Sequence, residues 1–126
     1  MIVDTSALLA VLLGEADAYL YADAMAGDPV RLLSTASYVE AGLKLIGASL
    51  DPMTRLDRAV EDLGLTLIAV SAAHAQEAVQ ARARFGRAPA RLNFGDCIVY
   101  GTAKVAREPL LFKGDGFTHT DVARVL

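Results

Sequence analysis

The chain contains a single cysteine, Cys97, and this scarcity limits what the protein can be. One thiol cannot form an internal disulfide or a cysteine-based zinc cluster, and unpaired cysteine is typical of the reducing cytosol. The longest unbroken apolar run, Ala7 to Leu13, is far shorter than the roughly 20 residues that cross a bilayer. No basic segment precedes the first apolar stretch, which argues against a secretory signal peptide. These absences predict a soluble, cytoplasmic protein.

An excess of positive charge is also absent. The formal net charge is −3 and the isoelectric point is about 5.2, so bulk charge does not indicate nucleic-acid binding, although it allows a local basic patch. The 126 residues are 54% hydrophobic, which is enough for one core. We therefore expect a single domain over residues 1–126.

Short apolar segments alternate with longer helical stretches along the chain. The predicted strands are apolar on both faces, as buried parallel strands are, and cover residues 1–4, 30–34, 65–70 and 109–112. The predicted helices cover residues 5–13, 15–26, 35–49, 52–63, 71–85 and 93–107. This alternation predicts an α/β fold with three α/β/α layers and a mostly parallel sheet of four or five strands.

Four acids recur where such a sheet would bind a ligand. Asp4 and Asp115 directly follow predicted strands, while Glu40 and Asp96 lie near the starts of helices. Strand ends and the following helix starts share one edge of a parallel sheet, so these carboxylates can meet there. Converging acids require a cation, and oxygen ligands suit Mg²⁺ or Mn²⁺. A metal of this kind activates water for phosphodiester hydrolysis, which is the chemistry we expect.

Each acid also has a purely structural interpretation. Asp4 is a good N-cap for the helix that follows it, and Glu40 completes a Ser-x-x-Glu capping box with Ser37. Asp96 can complement a helix dipole in the first turn, and Asp115, between two glycines, is ordinary turn chemistry. The joint placement of all four at one sheet edge favours the metal site over these separate roles.

Four segments together resemble the motif set of PIN-domain ribonucleases, and within it the VapC toxins of bacterial toxin–antitoxin pairs. They are Met-Ile-Val-Asp-Thr-Ser-Ala at 1–7, Glu40, Leu-Asn-Phe-Gly-Asp-Cys at 92–97, and Leu-Leu-Phe-Lys-Gly-Asp-Gly-Phe at 110–117. The resemblance extends from the first residue to about Asp121. It implies a PIN-like domain that acts as a Mg²⁺- or Mn²⁺-dependent endoribonuclease, forms a homodimer and is silenced by a cognate antitoxin.

The resemblance also implies roles for individual residues. Asp4 and Asp96 would be the principal metal ligands, and Glu40 would bind the metal directly or through water. The supporting residues would be Thr5, Ser6 and Asn93. Relatives of this subgroup read Lys-Gly-Asp-Asp-Phe at the fourth motif, whereas Gly116 replaces the second acid here. Asp115 can still serve as the fourth acid, and we expect activity to survive.

Two other functions remain as alternatives. The first is a catalytically silent PIN-like module that acts only through its antitoxin, which Gly116 favours. The second is a phosphoacceptor domain, which needs adjacent acids after the first strand and an acid ending the middle one. The predicted strand at 65–70 ends without an acid, so this second alternative is poor. The sequence does not identify the RNA target.

Basic residues cluster just before the third motif. Four arginines fall within ten positions and could contact RNA phosphates beside the acids, namely Arg82, Arg84, Arg87 and Arg91. The alternative is that the four arginines form a solvated charged surface. Lys113 also has two interpretations: it contacts a phosphate, or its aliphatic stem covers apolar surface. His74 and His119 lack partners at metal-ligand spacing and are expected to be surface or capping residues. Cys97, Tyr19 and Tyr21 are expected in the core.

Overall fold

The short apolar segments form one parallel sheet in the computed structural model, which describes residues 1–126. The strands are β1 (Ile2–Val3), β2 (Leu32–Ser34), β3 (Thr66–Ile68) and β4 (Leu110–Leu111). They lie in the order β3-β2-β1-β4, and all three pairings are parallel. Leu110 also forms an isolated parallel bridge with Arg124. The predicted four strands are therefore confirmed, although each is shorter than predicted.

Six helices connect and cover these strands: α1 (Thr5–Leu13), α2 (Ala18–Gly27), α3 (Thr35–Ile46), α4 (Pro52–Asp62), α5 (Ala72–Phe85) and α6 (Phe94–Ala106). Helix α1 ends as predicted because Gly14 adopts a left-handed conformation with φ of 66°. Helix α2 begins later than predicted, since Glu15 to Asp17 form the turn that follows this glycine. None of the helices combines the length and apolar character needed to cross a membrane.

Side chains that alternate along the strands divide the core into two halves. Val3 and Leu111 face one apolar cluster, which includes buried residues of α1, α2, α3 and α4. Ile2 and Leu110 face the other cluster, which is built from α5, α6 and the C-terminal segment. Successive strand residues point to opposite faces, so burial on both faces requires the continuous apolar runs found in the sequence. The three-layer α/β/α prediction is confirmed.

The helix caps decide which polar side chains remain available for other roles. The hydroxyl of Ser34 accepts a hydrogen bond from the Ser37 amide at 2.9 Å and caps α3. The structural interpretation of Glu40 as the end of a Ser37 capping box is therefore wrong: Glu40 lies farther along the helix, beyond its first turn. By contrast, Asn93 and Asp96 do form a capping box at the start of α6.

Five further expectations concern residues outside the acid set. His74 is a capping residue, since its Nδ1 accepts a hydrogen bond from the Ser71 amide at 3.0 Å. Cys97 and Tyr21 are buried, as predicted. Tyr19 is not a core residue: it is 62% exposed, because it lies on the outer face of α2. His119 is exposed, as predicted.

Candidate functional site

The end of β1 holds the most buried of the candidate acids. Asp4 is only 7% exposed and caps α1. Its Oδ2 accepts hydrogen bonds from the Ser6 amide at 2.9 Å and from the Ser6 hydroxyl. The Ser6 oxygen in turn accepts a hydrogen bond from the backbone N–H of Lys113 at 2.9 Å. Ser6 therefore orients Asp4 and connects it to the segment that follows β4.

Glu40 reaches the same edge from α3. The hydroxyl of Thr5 donates to Glu40 Oε2 at 2.8 Å, which joins α3 to the start of α1. A Cβ added at Gly95 would lie 3.3 Å from the same oxygen. A side chain at position 95 would crowd Glu40, so glycine lets the start of α6 approach the carboxylate closely. Glu40 thus lies between the starts of α1 and α6.

Asp96 is positioned by the capping box at the start of α6. Its Oδ2 accepts a hydrogen bond from the Asn93 amide at 2.8 Å, and Asn93 Oδ1 accepts one from the Asp96 amide at 2.9 Å. The structural interpretation of Asp96 as a first-turn residue is therefore correct. It does not exclude a second role, because only one carboxylate oxygen is used.

The same arrangement holds for all three acids. Each carboxylate uses one oxygen for hydrogen bonds that fix its orientation, namely Oδ2 of Asp4, Oε2 of Glu40 and Oδ2 of Asp96. The other oxygen of each carboxylate accepts no hydrogen bond within the chain. None of the three forms an ion pair with a basic side chain, since all six ion pairs of the protein involve other groups. Three oriented carboxylate oxygens are thus left free.

The three acids lie close enough for their charges to affect one another. Burial raises the pKa of Asp4 above its usual value of 3.8, although the hydrogen bonds from Ser6 lower it in part. The negative charges of Asp96 and Glu40 raise the pKa of Asp4 further. Burial also raises the pKa of Asp96, with a further contribution from Glu40. Partly desolvated like charges without a counter-ion are unfavourable, so this edge of the sheet would gain from a bound cation.

The donor set fits a hard divalent cation in its chemistry. Carboxylate oxygens are the ligands that Mg²⁺ and Mn²⁺ prefer, and Mg²⁺ usually keeps several waters between itself and the protein. No group of three or more His, Cys, Asp or Glu side chains is arranged to hold a metal ion as it stands. The fit is therefore one of donor type and charge.

Asp115 lies apart from this group. It is exposed in the turn between Gly114 and Gly116, where its carbonyl accepts hydrogen bonds from the Thr118 amide at 3.1 Å and hydroxyl at 2.7 Å. Its charge is not among those that shift the pKa of Asp4 or Asp96. The structure thus brings Asp4, Glu40 and Asp96 together and leaves the fourth candidate acid at the periphery.

The five candidate RNA-binding cations are in different situations. Arg84 donates to Asp121 at 3.0 Å and to the Tyr100 hydroxyl at 3.3 Å. Arg82 donates to the carbonyl of Leu92, and Lys113 forms ion pairs with Glu15 and Asp17. By contrast, Arg87 and Arg91 are exposed and form no side-chain hydrogen bond or ion pair within the chain. These two arginines are the cations of the set that remain free to meet a phosphate.

One further residue at this edge received no role from the sequence. Phe94 lies between Asn93 and Gly95 and is 84% exposed, which is unusual for a large apolar side chain. The only sign of a role in the sequence is its position inside the Asn-Phe-Gly-Asp segment, because an aromatic side chain cannot cap a helix. Its exposure, which only the fold reveals, distinguishes it from a core residue.

The fold and this edge of the sheet together identify the class of protein. The model of the PIN domain family matches residues 1–123, so the chain belongs to the PIN domain family. Within that family it is 47% identical to Ribonuclease VapC28 of Mycobacterium tuberculosis strain H37Rv, over 100% of this chain and 98% of the relative. It is 46% identical to Ribonuclease VapC of Mycolicibacterium smegmatis, over 99% of each chain. The resemblance to PIN-domain ribonucleases is confirmed.

A solved structure supports the same fold. The crystal structure of VapBC2 from Rickettsia felis bound to a DNA fragment from their promoter contains a chain that superposes with a TM-score of 0.78. The match covers 98% of this chain and 94% of the other, at 13% sequence identity. At this identity the similarity concerns the backbone architecture, and it agrees with the parallel α/β/α arrangement described above.

Proposed function

We propose that the protein is a Mg²⁺- or Mn²⁺-dependent endoribonuclease that acts in the cytoplasm as the toxin of a toxin–antitoxin pair. The observation that carries the proposal is the group of three coupled carboxylates at one sheet edge, each with a free oxygen. The full-length similarity to VapC ribonucleases supports it. Antitoxin-free protein should cleave single-stranded RNA in Mn²⁺ and lose this activity in EDTA.

The proposal assigns a distinct task to each residue of the site. Asp4 and Asp96 would hold the cation directly, and Glu40 directly or through water. When bound, the cation would neutralise these carboxylates, acidify water and stabilise charge on a phosphoryl oxygen. Asp115 lies outside the group of three acids and has no direct part in holding the cation. Gly116, which replaces the second acid of the fourth motif, lies next to it and therefore leaves the three acids unchanged.

The chain's other polar groups prepare the acids for this task. Ser6 holds Asp4 through its hydroxyl and amide, Thr5 holds Glu40, and Asn93 holds Asp96. In each case the donor occupies one oxygen and leaves the other free. Ordering the ligand side chains before the ion arrives reduces the entropy lost on binding, as partners behind metal ligands commonly do.

RNA must approach a negatively charged site, so cations are needed beside it. We propose that Arg87 and Arg91 bind RNA phosphates, while Arg82, Arg84 and Lys113 chiefly hold the fold through the partners described above. Replacing Arg87 and Arg91 together by Gln should weaken single-stranded RNA binding. It should also reduce the slope of log K against log salt by about 0.7 for each phosphate that the variant no longer neutralises.

The measurement is fluorescence anisotropy of a labelled single-stranded RNA in EDTA over a range of salt concentrations. The matched control is Arg58→Gln, because Arg58 is also exposed and unpaired but lies on α4, in the opposite helical layer. An unchanged slope in the Arg87/Arg91 variant, or an equal loss of affinity in the control, would show that these arginines do not bind RNA.

An apolar stripe on α3 supports a homodimer. Val39, Leu43 and Ile46 lie on one face of the helix at intervals of four and three residues, and each is more than half exposed. We propose that this stripe pairs with a second copy of the chain. The antitoxin would cover the exposed apolar side chains of α1 and α2, such as Leu13 and Leu20.

Introducing a charge into the stripe tests the dimer. Sedimentation equilibrium should give the wild type a mass of twice 13.3 kDa, whereas Leu43→Glu should reduce it to that of one chain, since an unpaired carboxylate would be buried at the interface. Leu50→Glu is the control, because Leu50 is fully exposed just beyond α3. A wild type that remains monomeric at high concentration would contradict the dimer.

A further inference from the structure

Lys113 connects two parts of the chain that are far apart in the sequence. Its backbone N–H donates to the Ser6 hydroxyl oxygen at 2.9 Å, and Ser6 orients the Asp4 carboxylate. Its ammonium forms ion pairs with Glu15 and Asp17, in the turn between α1 and α2. These two acids lie 98 and 96 positions before it. Lys113 therefore contacts both this turn and the group behind Asp4.

The backbone around Lys113 is fixed by packing on one side only. Strand β4 ends at Leu111, and the next residue, Phe112, is buried in the core. After Lys113 the chain enters an exposed turn, residues 114–116, in which Gly114 has a φ of 91°. Glycine restricts the backbone little. We therefore expect the Lys113 side chain to hold this part of the backbone on its other side.

The acids of the turn bind Lys113 instead of serving the helix beside them. Asp17 is the N-cap of α2, and Asp is a favoured capping residue, yet its side chain makes no capping hydrogen bond. The hydrogen bond from Lys113 instead lowers the pKa of Asp17, and hydrogen bonds to Asp17 and Glu15 raise the pKa of Lys113. The ammonium also lies 6.0 Å from the centre of the Tyr21 ring. A single exposed ion pair contributes little to stability, but three partners around one ammonium fix its position.

We propose that Lys113 is a positioning residue for Asp4. The turn between α1 and α2 holds its ammonium, and this fixes the backbone N–H that keeps the Ser6 hydroxyl oriented toward the carboxylate. The inference rests on the proposed metal-dependent nuclease, in which Asp4 holds the cation, and it gives Lys113 a task other than phosphate binding. Groups behind a metal ligand commonly determine how well that ligand is placed. Loss of the ion pairs should therefore loosen Asp4, although Lys113 touches neither metal nor substrate.

The affinity for Mn²⁺, measured by isothermal titration calorimetry without RNA, tests this role. Lys113→Met should bind Mn²⁺ about 10-fold more weakly, which is the lower end of the range for loss of a group behind a metal ligand. The sign is informative, because loss of a nearby positive charge would by itself strengthen cation binding. Lys113→Arg, which keeps the charge, should bind Mn²⁺ nearly as the wild type does. If the wild type binds Mn²⁺ and Lys113→Met binds it equally or more tightly, the proposal is overturned.

The matched control is Lys104→Met. Lys104 also pairs with an acid, Asp121 at 3.5 Å, and its ammonium lies 5.9 Å from the centre of the Tyr100 ring. It is located near the end of α6, whereas Asp96 is at the start. The control therefore loses the same kinds of contact without touching Ser6, and its Mn²⁺ affinity should stay at the wild-type value. An equal loss of affinity in both variants would overturn the proposal.

Amide hydrogen exchange, measured by NMR in EDTA, tests the same connection without metal. Ser6 is the second residue of α1, so its amide has no carbonyl partner within the helix and its protection reports the bond to Asp4. The amide of residue 113 reports the bond to the Ser6 hydroxyl. Both amides should lose protection in Lys113→Met and keep it in Lys113→Arg and Lys104→Met. Unchanged protection of the α5 amides verifies that the fold is intact.

A second variant removes the ion pairs and leaves the lysine in place. Glu15→Gln combined with Asp17→Asn should show the same loss of protection at the amides of residues 6 and 113, which covers the case that Lys113→Met does not fold. Wild-type protection of both amides in a folded variant of either kind would overturn the positioning role.

Failure of this inference is distinguishable from failure of the proposed function. Loss of protection in Lys113→Met, in a protein whose wild type neither binds Mn²⁺ nor cleaves RNA, would uphold the connection from Lys113 to Asp4 and overturn the nuclease. Mn²⁺-dependent cleavage by the wild type, with unaltered protection and Mn²⁺ affinity in Lys113→Met, would do the reverse.

Discussion

Asp96→Asn should slow Mn²⁺-dependent cleavage of single-stranded RNA by about 10²- to 10³-fold, the range for losing one group that stabilises charge in a reaction. The amide oxygen of Asn can still accept the hydrogen bond from the Asn93 amide, so the cap of α6 survives. What the variant loses is the negative charge and the free carboxylate oxygen. Single-turnover cleavage rates measure the effect, and thermal unfolding verifies that the fold is intact.

A matched control for this variant is Asp23→Asn. Asp23 is exposed on α2 and forms no side-chain hydrogen bond or ion pair within the chain, so its replacement removes one negative charge without touching the site. It should cleave RNA at the wild-type rate. Full activity in Asp96→Asn, with the control equally active, would remove Asp96 from the reaction.

Asp4→Asn should have opposite effects on stability and activity. Asp4 is the most buried of the three acids, and burial raises its pKa because the charged form is poorly solvated there. Asn can accept the same hydrogen bonds from Ser6 without a charge. In the absence of metal at neutral pH, we expect the free energy of unfolding to rise, because a poorly solvated charge has been removed, while metal-dependent cleavage is lost.

The difference in stability between the wild type and Asp4→Asn should depend on pH, and the direction follows from the raised pKa of Asp4. A carboxyl whose pKa is raised by folding binds its proton more tightly in the folded state than in the unfolded state. Its favourable contribution is complete below 3.8, the ordinary value, and is lost as the pH rises through the raised pKa of the folded state. The melting temperature in EDTA should therefore fall more for the wild type than for Asp4→Asn as the pH is raised from acid to neutral.

The effect of Mn²⁺ on the melting temperature is a second test of the role of Asp4. A ligand that binds only the folded state adds about 2.7 kcal/mol of stability at one hundred times its Kd. Mn²⁺ should raise the melting temperature of the wild type and have little effect on Asp4→Asn. The account of Asp4 would be wrong if the variant were less stable than the wild type in EDTA at neutral pH, or if Mn²⁺ stabilised both proteins equally.

The general fold and the three acids could be predicted because the determining patterns are local. Apolar runs such as Met1 to Val3 specify buried strands, and an acid or hydroxyl directly after a strand marks the edge where ligands bind in parallel sheets. The boundaries of α1 follow from Asp4 as N-cap and Gly14 as C-cap. The capping box at Asn93 likewise follows from two residues three positions apart.

Contacts between distant parts of the chain could not be predicted in this way. Lys113 pairs with Glu15 and Asp17 across nearly the whole sequence. Arg84 meets Asp121 only because the C-terminal segment packs against α5 and α6. The sequence therefore gives the positive charges of Arg84 and Lys113 but not their partners. In the structure both side chains are paired with acids of the chain. For this reason the local pattern, which indicated phosphate binding, did not predict their contacts.

The role of Glu40 depended on a choice between two similar caps. Ser34 and Ser37 can both begin a helix, and the Ser37-x-x-Glu40 pattern fits a capping box. Because β2 extends to Ser34, the helix begins immediately afterwards and the first serine becomes the cap. Glu40 is then too far along the helix to cap it and instead accepts the hydroxyl of Thr5. The end of the strand, set by pairing with β1 and β3, therefore decides that Glu40 does not cap the helix.

The measurement that tests the central claim most directly is cleavage of a mixed single-stranded RNA pool by folded, antitoxin-free protein. Three reactions are compared: wild type with Mn²⁺, wild type with EDTA, and Asp4→Ala with Mn²⁺. The three-acid account predicts cleavage only in the first reaction. Absence of cleavage in all three would contradict it and favour a silent PIN-like binding module, and cleavage that persists in EDTA or in Asp4→Ala would exclude this metal site.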